Sequence, residues 1–205
     1  AIGEFQWKKP LAVCLTALLA GLITVLSPFL KMQYWFADSM FIRNQPVDNR
    51  IKIIGIDEAS LQEMGPFADW SRQQAADLLQ FFDPEYAPAV VAFDINYFGE
   101  REPSGDQALV EQAAQLDHVV MASYLVYDKR LEQTDSEGLQ MNTLYIREIE
   151  RPFPALQEVS RQGFTNVIQD QDNYVRRSLL TGSSEGETEY NFAYEIYRCY
   201  MESQG

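Results

Sequence analysis

Arg50-Ile51-Lys52-Ile53-Ile54-Gly55-Ile56-Asp57 is the stretch that most strongly predicts a fold class. Its four isoleucines are β-branched, and their near-continuous apolar run is typical of a strand covered on both faces. Ala89–Asp94 repeats this design, again ending on an aspartate, and one helix-length segment separates the two stretches. The pattern predicts two parallel strands joined by a crossover helix, with Ile54 and Phe93 buried between covering layers.

The rest of the chain predicts elements that complete an α/β domain. Apolar spacing predicts helices over 72–82 and 106–116, and an apolar run predicts a third strand over 118–125. Polar residues over 128–142 predict a loop, and two apolar runs around an Asx-rich turn predict an antiparallel hairpin over 163–181. The expected fold is a central, mostly parallel sheet flanked by helices, with the hairpin added to that sheet.

An N-terminal transmembrane helix is expected before this domain. Residues 11–30 carry no charge, and at about 1.5 Å per residue they would span roughly 30 Å, the thickness of a bilayer's hydrocarbon. A buried core helix is the alternative interpretation. Lys8 and Lys9 precede the run and Lys31 alone follows it, so the positive-inside rule favours a cytoplasmic N-terminus.

Four regions follow from this interpretation. They are a cytoplasmic N-terminus (1–9), a transmembrane helix (10–30), a juxtamembrane stalk (31–49) and an extracytoplasmic domain (50–205). The stalk has an amphipathic helical pattern. Its apolar face is expected to pack on its own domain, with part of that face shared with a second copy in a homodimer. The expected partners are therefore membrane lipid and another protomer.

Charge argues against nucleic-acid binding. After Lys31 the chain has 13 basic and 29 acidic residues, a net charge of −16. Such a domain would be repelled by phosphate backbones and by anionic membrane surfaces. Cys14 lies in the apolar run and Cys199 near the other end, so no disulfide framework is predicted.

Asp57 and Asp94 are candidate ligand or metal contacts, because each ends a predicted strand. Open α/β sheets bind ligands beyond the carboxyl ends of their strands. Two neighbouring carboxylates would suit a divalent cation. With Asn96 or Asp106 as further ligands, the site would be that of a membrane-anchored, metal-dependent hydrolase. The alternative is that each aspartate caps the turn that follows it.

Trp70 and Arg72 form a second candidate group, in the loop before the first predicted helix. An indole and a guanidinium at this edge could bind an anionic or aromatic ligand. Alternatively, Trp70 covers the top of the domain and Arg72 pairs with Asp57 or Asp94. With a single histidine, His118, and no phosphate-binding glycine motif, the sequence favours sensing over catalysis and implies no organic cofactor.

The chain resembles the CHASE2 domains, extracytoplasmic sensor modules of bacterial transmembrane receptors. The resemblance depends on the order and spacing of several segments: FADSMFIRNQP (36–46), IKIIGIDEASLQEMG (51–65), DWSR (69–72), AVVAFDINYF (89–98), GDQALVEQA (105–113), VVMAS (119–123) and GFTNVIQDQDNYVRRSLL (163–180). The family usually has a fuller Trp-Pro-Trp-Pro-Arg run where this chain has residues 67–72.

This resemblance implies a receptor function. The domain would lie between a first membrane helix and further membrane helices, and it would respond to a small-molecule or protein ligand. It would regulate an intracellular output domain, most often a class III adenylate or guanylate cyclase and otherwise a histidine kinase or a diguanylate cyclase. Ligands of the family are generally unassigned.

Overall fold

The computed structural model describes residues 8–25, 28–41, 46, 48–82, 87–134, 138–170, 172–184 and 186–205. The chain divides into two compact units, Ala1–Gly55 and Ile56–Gly205. Within the described residues, the first unit contains helices and the second contains the strands together with further helices.

Two helices form the first unit, α1 (Lys8–Val25) and α2 (Pro28–Phe41). Pro28 is the first residue of α2, a position where its missing N–H has no partner to lose. The transmembrane helix predicted over 10–30 includes residues 26 and 27, which lie outside the described residues. Among the helices that the structure describes, none has both the length and the hydropathy needed to cross a membrane.

The second unit alternates helices and strands. Its elements are α3 (Glu58–Met64), a 3-10 turn (Phe67–Asp69), α4 (Gln73–Gln80), β1 (Val91–Phe93), α5 (Pro103–Ala113), β2 (Val119–Thr134), β3 (Gly138–Glu150), α6 (Pro154–Glu158), β4 (Arg161–Phe164), β5 (Ile168–Gln169), β6 (Val175–Arg177), β7 (Thr181–Ser184), β8 (Glu187–Tyr190) and α7 (Phe192–Ser203). The helices predicted over 72–82 and 106–116 are confirmed as α4 and α5.

The main sheet is mixed, with β2 as its central strand. β1 and β4 pair with β2 in parallel, and β3 pairs with it antiparallel. The predicted parallel pairing of the strand ending at Asp94 with the strand near 118–125 is confirmed, since Val91 lies opposite Val119. The α/β class is therefore confirmed, although the parallel strands are short.

One apolar cluster holds the helices to the sheet. Phe93 and Met121 contribute from β1 and β2, Leu79 from α4, Leu109 from α5 and Leu156 from α6, all of them buried. The prediction that Phe93 is buried is confirmed, at 6% exposure. Arg72, just before α4, contacts both Gly99 in the loop after β1 and Asp106 in the first turn of α5. The start of each helix therefore lies on the same side of the unit as the end of β1.

The strand predicted over Ile51–Asp57 is wrong. These residues form no strand, and all of them are exposed, Ile54 at 66% and Ile53 at 87%. β-branched residues favour a pleated, half-buried surface, but a strand also needs a neighbour to complete its hydrogen bonds. In the described part of the chain no strand pairs with this stretch, so truncation of Ile54 to alanine should cost far less than truncation of a core residue.

Two other sequence predictions need correction. A loop was predicted over 128–142, but residues 128–134 and 138–142 belong to the long β2–β3 ladder, which extends to the pair Thr134 and Gly138; residues 135–137 lie outside the described residues. Backbone hydrogen bonds hold such a ladder without an apolar run, which explains why hydropathy missed it. The hairpin predicted over 163–181 is shorter than expected: β5 and β6 form a separate two-stranded sheet, while Gly163 and Phe164 belong to β4, which joins the main sheet in parallel rather than antiparallel.

A glycine allows α7 to lie close to the sheet. A Cβ added to Gly163 in β4 would lie 2.6 Å from the Cα of Phe192, at the start of α7. Asn191 caps this helix, and its side chain accepts a hydrogen bond from the backbone N–H of Ala193. The close approach therefore places the N-terminus of the last helix against β4.

Candidate functional site

Arg72 lies at the centre of a buried polar cluster beyond the end of β1. Its guanidinium pairs with Asp106 at 2.5 Å and donates to the carbonyl oxygen of Gly99 at 2.6 Å. The same group stacks against Phe153, 4.6 Å from the ring centre, and lies 5.5 Å from the ring of Tyr97. Arg72 is 6% exposed. Its carboxylate partner is the buried Asp106 of α5, rather than Asp57 or Asp94.

Asp106 has both carboxylate oxygens engaged within this cluster. One accepts from Arg72, and the other accepts from the backbone N–H groups of Arg101 at 2.8 Å and Glu102 at 3.2 Å. As a possible further metal ligand, Asp106 is therefore already committed to protein donors. Burial raises the pKa of Tyr97 to about 12 although the charge of Arg72 opposes this rise, so the phenol stays neutral.

Glu102 connects the same cluster to the start of α4. Its carboxylate accepts from the backbone N–H of Arg72 at 2.6 Å. The pKa of Glu102 is lowered chiefly by the Ser71 hydroxyl and then by this backbone donor. The loop before α4 and the loop before α5 are thus joined by ionised groups in hydrogen-bond contact.

Trp70 is half-buried and lies in the loop that leads to Arg72. Its indole N–H donates to the carbonyl oxygen of Gly65 at 2.9 Å, and its ring makes an edge contact with Phe67 at 5.3 Å between centres. Phe67 remains 42% exposed. Arg101 crosses the same loop and donates to the carbonyl oxygens of Ala68 at 2.6 Å and Trp70 at 3.3 Å.

Arg101 is the residue of this region that sequence reasoning missed. It lies in the polar loop between β1 and α5, at the carboxyl end of a parallel strand. Its position after a predicted parallel strand could have identified it from the sequence, because α/β sheets bind ligands at the carboxyl ends of their strands. Asp94 and Asn96 lie in the same loop and are exposed.

Asp57 is a helix cap in the structure. Its side chain accepts from the backbone N–H of Ser60 at 2.9 Å and from the Ser60 hydroxyl at 2.8 Å, at the start of α3. These hydrogen bonds, the backbone one foremost, lower the pKa of the Asp57 carboxyl. Within the part of the chain that is described, no three His, Cys, Asp or Glu side chains are grouped to hold a metal.

Asp57→Ala should loosen α3, since a capping acceptor is lost. We expect several-fold faster hydrogen exchange of the first α3 amides, with no change in α5. The stabilising effect of ionised Asp57 is complete above its ordinary pKa of 3.8 and is lost as pH falls through the lowered folded pKa. The parent should therefore lose α3 protection only in acid. Asp94→Ala is the matched control, and equal effects of both changes would contradict the capping role.

Comparison with known proteins identifies the family of this domain. A family model described as the CHASE2 domain matches residues 13–205. Searches of curated proteins and of solved structures found no match. CHASE2 domains are extracytoplasmic sensory domains of signalling receptors. Because the match extends over most of its length, the chain belongs to the CHASE2 domain family.

Proposed function

We propose that this chain is the sensory part of a membrane-bound bacterial receptor, located outside the cytoplasm, and that its ligand state regulates an intracellular output domain. The CHASE2 match over residues 13–205 is the observation that carries this proposal. The output we propose is a class III adenylate or guanylate cyclase, with a histidine kinase or a diguanylate cyclase as the alternative. The segment itself senses and performs no catalysis.

The ligand contacts that we propose lie on the loops beyond the end of β1. Asp94 and Asn96 are exposed there, and Trp70 is half-buried in the loop before α4. Asp57, the cap of α3, stays a candidate contact. Arg72 is buried, so it acts as a positioning residue that joins this loop to α5.

A ligand at these loops would act by differential affinity. It would favour whichever arrangement of α4 and α5 gives it the better contacts, and so shift the population of receptor states. The ion pair between Arg72 and Asp106 supports this idea, because it joins the loop before α4 to the first turn of α5.

A second copy of the chain is the protein partner that we propose. In the first unit α2 exposes large apolar side chains, among them Met32, Trp35 and Met40. Exposed apolar surface of this kind marks an interface with a partner or a membrane. Sedimentation of the detergent-solubilised receptor at several concentrations should show dimers, and a monomer throughout would contradict this partner.

Thiol labelling in whole cells tests the location. In the receptor with Cys14→Ser, Glu158→Cys places a thiol on an exposed position of α6. A membrane-impermeant maleimide should label this thiol in intact cells as fully as in lysed cells. Labelling that requires lysis would place the domain inside the cell and refute the proposal.

Cyclic nucleotide production tests the output. Membranes that contain the complete receptor should form cyclic AMP or cyclic GMP from the matching triphosphate. Unfolding the sensory domain by a core substitution should change that rate. A receptor that forms neither product would exclude the cyclase and leave the kinase or the diguanylate cyclase.

A further inference from the structure

Arg101 differs from the other arginines of the second unit in its partners. Each of the others with a described side chain pairs with a carboxylate within 4 Å: Arg72, Arg147, Arg151, Arg161, Arg176, Arg177 and Arg198. Within the described residues Arg101 makes no such pair, although the chain carries 30 acidic residues against 16 basic ones. Its charge acts on a carboxylate through space, where it helps to lower the pKa of Glu102, but no described carboxylate is bonded to its guanidinium.

Neutral oxygens hold the Arg101 side chain in place. It donates to the backbone carbonyl oxygens of Ala68 and Trp70, and neither contact neutralises its charge. The side chain is exposed, and the guanidinium has further N–H groups beyond those two donors. These groups can bind an anion from solution, and carboxylates match their geometry best.

An apolar surface belongs to the same loop. Phe67 and Trp70 flank Ala68 and Asp69, their ring centres are 5.3 Å apart, and Phe67 is 42% exposed. The indole of Trp70 is fixed by its hydrogen bond to Gly65. A cation and an aromatic surface are thus presented side by side on one short, internally bonded loop.

Neighbouring acidic groups limit the charge that this site accepts. Glu100 is exposed beside Arg101, and Asp69 is exposed in the loop to which Arg101 donates. The charge of Arg101 acts on Glu102, and Asp106 accepts from the Arg101 backbone N–H. A doubly charged anion such as phosphate would gain one cation and meet several carboxylates, whereas a singly charged anion suffers less repulsion. The surroundings therefore favour one negative charge joined to an apolar group.

We propose that Arg101, Phe67 and Trp70 bind a small monocarboxylate that carries an aromatic or branched apolar group. The carboxylate pairs with the guanidinium of Arg101, and the apolar group packs on Phe67 and the Trp70 ring. This inference rests on the proposed sensory function and adds the chemical class of the ligand.

Benzoate is the probe, and its binding to the full chain is measured by saturation-transfer NMR. Benzamide has the same shape without the charge, and inorganic phosphate has the charge without the ring. We expect benzoate to bind and the other two compounds to bind about tenfold more weakly or worse. Benzamide lacks the charge-assisted hydrogen bond to Arg101, and phosphate lacks the ring contact. Equal binding of benzamide, tighter binding of phosphate, or no binding of benzoate would overturn the proposal.

Variants assign the site. Arg101→Gln should weaken benzoate binding about tenfold or more, and Arg101→Lys should weaken it less because the charge remains. Phe67→Leu should cause a smaller loss, and Arg147→Gln, which removes another exposed arginine, should change nothing. Undiminished binding by Arg101→Gln would overturn the assignment. If that variant fails to fold, as judged by circular dichroism, the comparison of benzoate with benzamide on the parent decides alone. Failure here leaves the thiol-labelling result in cells unaffected.

Discussion

Arg72→Met should lower the free energy of unfolding by about 3 to 5 kcal/mol, the usual cost of removing one partner of a buried ion pair. The substitution leaves the Asp106 carboxylate of α5 buried without its cation. It also removes the donor to the Gly99 carbonyl oxygen and the stacking on Phe153. Urea denaturation followed by far-UV circular dichroism measures the change.

Two further variants show whether the buried charge is the cause. Arg147→Met removes an arginine that is more than half exposed and whose ion pair with Glu148 is long, at 3.9 Å. The change should therefore alter the free energy of unfolding by less than about 0.5 kcal/mol. The double variant Arg72→Met with Asp106→Leu should be more stable than the sum of its single changes predicts, because no unpaired charge remains. Strict additivity would contradict the ion-pair account and leave lost packing as the explanation.

Phe164→Ala should cost about 3 to 5 kcal/mol, as for other large aromatic side chains removed from a core. Phe164 is fully buried at the end of β4, opposite Ser123 of β2 and bridged to Asn191 before α7. Its truncation leaves a cavity where the sheet meets the last helix. We expect the amides of α7 to lose hydrogen-exchange protection together with those of β4.

Phe81→Ala is the matched control for this change. Phe81 is 82% exposed just after α4, so the same truncation removes little buried area and should cost less than about 0.5 kcal/mol. If the two alanine variants unfold at the same urea concentration, the core assigned to Phe164 is wrong.

Helices were the part of the fold that could be predicted most accurately. The apolar spacing predicted that the first helix packs on the sheet through Ala75, Leu78, Leu79 and Phe82 and the second through Leu109, Ala113 and Leu116. Leu79, Leu109 and Ala113 are buried, and the other four pack against the core partly buried. A helix completes its backbone hydrogen bonds within its own residues, so a local pattern is enough to predict it. The parallel pairing of β1 with β2 was predicted because only one helix separates their apolar runs.

The site was predicted only in part. The loop that holds Trp70 and Arg72 was singled out from residue type and position. The partner of Arg72 was not found, because Asp106 is 34 positions away and many other carboxylates were possible. Arg101 was missed for the same reason, since what distinguishes it is that no carboxylate of the described residues, the neighbouring Glu102 and Asp106 included, pairs with its guanidinium within 4 Å.

Residue types and their spacing thus determined the α/β class, the positions of α4 and α5, the strong negative charge and the resemblance to a sensor family. Tertiary structure alone decided which apolar runs became strands and which charges became pairs. The reason is physical, because a strand and an ion pair each need a partner that is distant in sequence. Ile51–Asp57 has the residues of a strand and no neighbour, whereas β2 and β3 continue through polar residues because each is the other's neighbour.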